Sequence, residues 1–152
     1  MKTQLHSLVR DQGKRLFFVI SIFVSISLVS SRCFAQQRVP WVSPKIAQEV
    51  KNPLAGDKSV LADGKALYIA NCAPCHGEKG RGDGPAAQAL TPKPADHSSA
   101  VVQSESDGSL FWKLSEGRKP MPTYKTVFTE KQRWELVNYI RTLAKTPKAI
   151  SK

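Results

Sequence analysis

The sequence predicts a small all-α domain, three or more short helices joined by long loops, and three observations point there. Apolar residues recur at helical spacing in three stretches, near 60–70, 106–117 and 130–144, and no stretch shows strand alternation. Between them, residues 77–96 and 118–127 are so dense in glycine and proline that neither can form a long regular element. At the end of the first helical stretch stands Cys72-Ala73-Pro74-Cys75-His76, a constellation with chemistry of its own.

The chain has room for one domain, and its start is not part of it. Lys2, Arg10, Lys14 and Arg15 form a basic leader, and Leu16 to Val29 is an almost unbroken apolar run. That run has the length of a signal-peptide core and is short for a membrane span. Small residues at Cys33 and Ala35 suit a signal-peptidase site, so residues 1–35 are expected to be a cleaved signal peptide, with an uncleaved membrane anchor as the alternative. Cleavage would remove Cys33 and leave Cys72 and Cys75 as the only cysteines, too few for a disulfide framework or a four-cysteine zinc site. The whole chain carries a net charge of +11; without the leader it keeps 18 Lys+Arg against 11 Asp+Glu, a net of +7. A basic surface on an exported protein favours acidic protein partners or anionic lipid. Nucleic acid is not expected, because no interleaved aromatic-basic pattern is present.

Residues 36–58 hold Pro40, Pro44, Pro53 and Gly56 and read as an N-terminal arm or linker, with one helical turn near Ile46 to Val50. Residues 59–146 make the domain. Ser59 is placed to cap a helix from Val60 to Ala70 with Val60, Leu61, Gly64, Leu67 and Tyr68 on its apolar face. Ala86 to Leu90 reads as one helical turn inside the first loop. Ser106-Asp107 opens a second helix with Leu110, Phe111 and Leu114 inward and Gly117 as its stop. Thr129-x-x-Gln132 is a capping-box pattern opening the third helix, Glu130 to Ala144, whose inner side carries Leu136, Val137, Ile140 and Leu143. Residues 147–152 are a tail beginning at Pro147.

Two thiols three positions apart, with an imidazole directly after the second, match the attachment site of a c-type haem. Each thiol adds to one vinyl group, and the next residue is carried under the ring plane, where its imidazole can bind iron. Cys72, Cys75 and His76 are therefore the expected attachment residues and proximal ligand for one covalent haem c. A Cys-x-x-Cys pair can also serve zinc or thiol redox chemistry, and those remain as alternatives. Three helices with long loops bury little by themselves, and a covalent apolar plate would supply what they lack.

For the distal position there are few candidates. Met121 is the one methionine besides Met1, 45 residues beyond His76 and flanked by Pro120 and Pro122. A thioether is a soft ligand that favours the reduced state, and prolines stiffen its loop. Met121 could instead be an apolar gap-filler. His97 is the other imidazole outside the leader; it is read as an exposed loop residue in the polar run Asp96-His97-Ser98-Ser99, with a bis-histidine arrangement as the alternative.

These residues together resemble class I cytochromes c, in particular small bacterial monohaem cytochromes of respiratory chains. The resemblance spans about Val60 to Ala144. It rests on Gly64 with Tyr68, on Leu136-Val137-Asn138-Tyr139-Ile140, on the haem motif, on residues 117–122 as a distal methionine loop, and on Gly82-Asp83-Gly84-Pro85. It implies the class I cytochrome c fold, with first and last helices crossing closely at Gly64. It further implies that the proximal histidine donates its second ring nitrogen hydrogen to a proline carbonyl, for which Pro85 is the match. Trp112 and Arg118 become candidates for holding a haem propionate.

The expected function is electron transfer: an exported, periplasmic monohaem cytochrome passing single electrons between a redox donor and acceptor, without a small-molecule substrate and without catalytic residues beyond the haem. Lys79, Arg81, Lys93, Arg118, Lys119 and Lys125 fall in the loops expected around the haem edge and are candidates for steering an acidic partner, Lys119 and Lys125 foremost. Two alternatives stay open: a subunit of a membrane respiratory complex, and a five-coordinate haem enzyme or gas sensor if Met121 does not ligate.

Overall fold

The computed structural model describes residues 40–145. The signal peptide read at 1–35, the first residues of the arm and the tail at 147–152 lie outside the described residues. In chain order the elements are α1 (Lys45–Gln48), α2 (Leu61–Asn71), α3 (Ala73–His76), a 3₁₀ turn (Ala87–Ala89), α4 (Ala100–Gln103), α5 (Asp107–Glu116) and α6 (Glu130–Thr142). Among the described residues the β pairing is a single bridge between Arg118 and Met121. The protein is all-α, as the sequence predicts.

The core is the crossing of α2 and α6. Tyr68, Leu136, Val137 and Ile140 are fully buried there, and Leu143 packs at its margin. The helices approach so closely that a Cβ on Gly64 would stand 2.3 Å from the carbonyl oxygen of Glu135. Only a glycine fits, because the atom in the way is rigid backbone. Tyr68 and Tyr139 meet across the crossing with ring centroids 5.2 Å apart. At the start of α6 both halves of the capping box form between Thr129 and Gln132. α5 begins at the cap of Ser106, whose side chain accepts from the Ser109 N–H, and ends at Gly117 with φ +66°. Phe111 of α5 stacks on Trp134 of α6 at 4.0 Å.

Three local readings change. α2 begins at Leu61 without a side-chain cap; the Ser59 hydroxyl donates instead to Asp57 Oδ1 at 2.6 Å. A short helix, α4, which the sequence reading passed over, is capped by Ser99, whose side chain accepts from the Val102 N–H. The arm is no free linker. Ser43 and Ser109 share a buried hydroxyl bond of 2.8 Å, and a Cβ on Gly108 would lie 2.1 Å from the Ala47 carbonyl oxygen. Asn52 donates to Asp107 at 2.8 Å and to Asn138 at 2.7 Å, and Asn138 donates back to the Leu54 carbonyl at 2.6 Å. These amides strap the arm onto α5 and α6.

Candidate haem-attachment site

Cys72 closes α2 and opens α3, its N–H donating to the Tyr68 carbonyl at 2.8 Å. The motif is then a single helical turn, with the N–H groups of Cys75 and His76 both reaching the Cys72 carbonyl, at 3.1 and 2.8 Å. On one turn, positions three apart share a face, so the two thiols point the same way. Gly77 ends the turn at φ +77°. Both cysteines are free thiols, Cys72 buried and Cys75 half-buried. Burial, with Cys75 as a second cause, pushes the Cys72 thiol up to about 12. A thiol so reluctant to ionise is poorly suited to thiolate redox chemistry, whereas a thioether puts no charge in the same place. Among the described residues, no group of three His, Cys, Asp or Glu side chains could hold a metal ion by itself.

His76 is buried, and its Nδ1 lies 2.9 Å from the carbonyl oxygen of Ala95. A carbonyl can only accept, so Nδ1 carries the hydrogen and Nε2 keeps the lone pair. Burial lowers the His76 pKa and the Ala95 bond opposes it only in part, so the ring stays neutral with Nε2 available as a ligand. The donor set therefore fits a covalent haem: two free thiols on one helical turn and one oriented imidazole.

The acceptor is not Pro85, as the resemblance implied. Residues 84–86 are tied to the back of the motif, Gly84 N–H to the Cys75 carbonyl at 3.2 Å and Ala86 N–H to the Pro74 carbonyl at 3.0 Å. The chain then returns through Pro92 and Pro94 and delivers Ala95 to the histidine. The proline near the histidine in sequence misled; the acceptor is a backbone carbonyl ten residues further on, which no sequence signal marks.

His97 is also corrected. It is buried, not exposed, and its ring stacks on His76 with centroids 3.9 Å apart and planes 17° from parallel. Its Nδ1 lies 3.1 Å from the Tyr68 hydroxyl. Burial foremost, then the neighbouring His76, pushes its pKa down to about 3, so it is neutral. Two imidazoles on opposite faces of one iron point at each other through the metal. Rings stacked side by side lie on the same side, which rules out His97 as the distal partner of His76. The polar run around it had a different use: Asp96 accepts from Ser98, and Ser99 caps α4.

Met121 lies in the loop between α5 and α6, half-buried and packed against the core cluster that includes Cys72. Arg118 and Met121 exchange backbone bonds of 3.1 and 2.9 Å, which closes the loop into a tight turn. The loop's base is tied to the motif by Tyr124, whose hydroxyl donates to the Asn71 carbonyl at 3.0 Å, the residue just before Cys72. Burial, then Cys72 and Cys75, push that hydroxyl up to about 12.

Trp112 and Arg118 share a partner that sequence reasoning missed. Trp41 meets Trp112 edge-on at 6.2 Å, and the Arg118 guanidinium lies over the Trp41 ring at 4.9 Å. Of the cations expected at a docking face, Lys79, Arg81, Lys93, Arg118, Lys119 and Lys125 are all exposed. Lys93 is engaged by the carbonyls of Ala87 and Gln88 at 3.2 and 3.0 Å, and Lys125 pairs loosely with Glu116 at 3.8 Å.

An all-α domain wrapped around a Cys-x-x-Cys-His turn, with its histidine held by a backbone carbonyl, defines a c-type haem protein. The sequence matches the Cytochrome c family over residues 61–144, and the chain belongs to that family. The family carries covalently bound haem and transfers electrons. Among solved structures, a chain of the reducing HAO-like protein complex of Kuenenia stuttgartiensis is similar, with a TM-score of 0.54 and 25% identity over 72% of this chain. This protein spans about half of that chain, 53% of its length. Comparison with curated proteins returns no match.

Proposed function

We propose that this protein is an exported monohaem cytochrome c that passes single electrons between redox proteins. The observation that carries the reading is the His76–Ala95 hydrogen bond beside the free thiols of Cys72 and Cys75, which leaves the imidazole Nε2 lone pair available to a metal. Cys72 and Cys75 would hold the haem through thioethers, His76 would be the proximal ligand and Met121 the distal one. Bound there, haem supplies a one-electron iron couple. Pro120 and Pro122 on either side of Met121, with the paired backbone of Arg118 and Met121, hold the distal loop stiff, so little would rearrange between oxidation states. The exposed Lys79, Arg81 and Lys119 would steer an acidic partner, and export rests on the leader pattern of residues 1–35.

The test is the purified protein from a host that matures c-type cytochromes. A c-type spectrum on reduction, a mass of one haem on a chain starting at Gln36, and the weak near-infrared band of methionine-ligated ferric haem are expected. Electron transfer to an acidic partner should slow as salt rises. A thiol-reactive protein without haem absorption would overturn the reading; haem without the near-infrared band would turn it into a five-coordinate enzyme or sensor. A second reading is a subunit of a redox complex, favoured because the similar solved chain is itself part of a complex. Native size and membrane fractionation separate the two.

A further inference from the structure

His97 is no ligand, yet the fold spends several contacts on it. Its backbone N–H donates to the Gly80 carbonyl at 2.6 Å, and its own carbonyl accepts from Gln103 Nε2 at 2.7 Å. Gln103 also reaches the Ile140 carbonyl at 2.9 Å, which anchors it on α6. Gly80 has no side chain for a reason: a Cβ there would lie 3.1 Å from His97 Cβ and 3.4 Å from the Tyr68 hydroxyl. Tyr68 is fully buried, and its hydroxyl sits between His97 Nδ1 at 3.1 Å and the Gly77 carbonyl at 3.3 Å. The segment 95–97 thus grips the His76 ring twice, at its edge through Ala95 and on one face through His97.

A single hydrogen bond holds an imidazole loosely, because the ring can still tilt and turn about the axis through its ligating nitrogen. A second ring stacked on its face removes that freedom. The orientation and basicity of an axial imidazole are among the levers by which a protein tunes iron. We propose that His97 is a positioning residue for His76: stacked on the proximal imidazole and braced by the Tyr68 hydroxyl, it sets the rotational position of that ring. The proposal rests on His76 being the proximal ligand. It has two separable parts. Any flat ring could supply the stack, but only one with a nitrogen at this place can also engage Tyr68.

The experiment compares the haem-loaded wild type with His97→Ala, His97→Phe and Tyr68→Phe, reading the reduction potential and the g-values of the low-spin ferric iron. His97→Ala should change the redox equilibrium constant by about tenfold, which is 59 mV for one electron, and should displace the g-values. His97→Phe should recover most of that change, and Tyr68→Phe should share the small remainder. A His97→Ala protein with lowered thermal stability but unchanged potential and g-values would make His97 a packing residue and overturn the proposal. If that variant does not mature, His97→Leu, which keeps bulk but removes the flat ring, takes its place: a displaced potential and displaced g-values support the proposal, and wild-type values overturn it. His76→Ala separates the underlying reading, since an unchanged spectrum there would show that His76 is not the ligand at all.

Discussion

The two loops that meet at the haem motif are built on different principles. The first, residues 77–97, is tied to the motif by backbone bonds: Gly82 N–H to the His76 carbonyl at 2.7 Å, Gly84 to Cys75 at 3.2 Å and Ala86 to Pro74 at 3.0 Å. The second, residues 117–128, hangs mainly from α5, with Tyr124 and Lys125 N–H groups reaching the carbonyls of Leu114 and Ser115 at 3.1 and 3.2 Å. Its stiffness near Met121 comes from proline rings and one tight turn. The contrast shows where precision is held. His76 is placed by a hydrogen-bonded cage that any shift of the motif would break. Met121 is placed by a loop that can change its side chain and keep its path.

The largest test of this contrast removes what both loops close on. Cys72→Ala combined with Cys75→Ala should abolish covalent haem completely, read as loss of haem staining on a denaturing gel. Next come the glycines. In the first loop a Cβ on Gly84 would lie 2.4 Å from the carbonyl oxygens of both Ala73 and Pro74. In the second, Gly117 has φ +66° and its Cβ would lie 2.5 Å from the Pro122 backbone. Gly84→Ala and Gly117→Ala should each cost about 1–3 kcal/mol in denaturant unfolding of the loaded protein. Their spectra should differ: Gly84→Ala should disturb the proximal g-value pattern, and Gly117→Ala the near-infrared band. The same disturbance from both would erase the distinction.

Smaller in stability, but sharp in spectrum, is Met121→Leu. A near-isosteric swap at a half-buried site should cost less than about 1.5 kcal/mol, while the near-infrared band disappears and the ferrous protein gains affinity for carbon monoxide. A band that survives would assign the distal position to another residue. The smallest effect belongs to the link between the second loop and the end of α2. Tyr124→Phe removes the bond to the Asn71 carbonyl and should cost about 0.5–1.5 kcal/mol by denaturant unfolding, without moving the spectrum.

The attachment turn could be read from five adjacent residues because its chemistry is local: two thiols and an imidazole on one helical turn need no distant partner. The capping box at Thr129 and the stop at Gly117 were legible for the same reason, each written in a few neighbouring residues; the close crossing at Gly64 was implied only by the family resemblance, since it needs a partner helix. The arm was harder. Prolines between Pro40 and Pro53 announce an extended path, but whether Asn52 finds Asp107 and Asn138 depends on residues more than fifty positions away.

The inventory is written in the chain: the longer helices, the Cys-x-x-Cys-His turn, and Met121 as the one methionine besides Met1. The company that His76 keeps is set by tertiary contacts alone. Ala95 contributes a backbone carbonyl, which every residue possesses and no sequence pattern distinguishes. His97 sits among polar neighbours that look solvated, and is buried because Gly80 leaves room and Tyr68 offers a partner from another helix. Such contacts come from how a loop returns through space, and composition along the chain carries no record of that return.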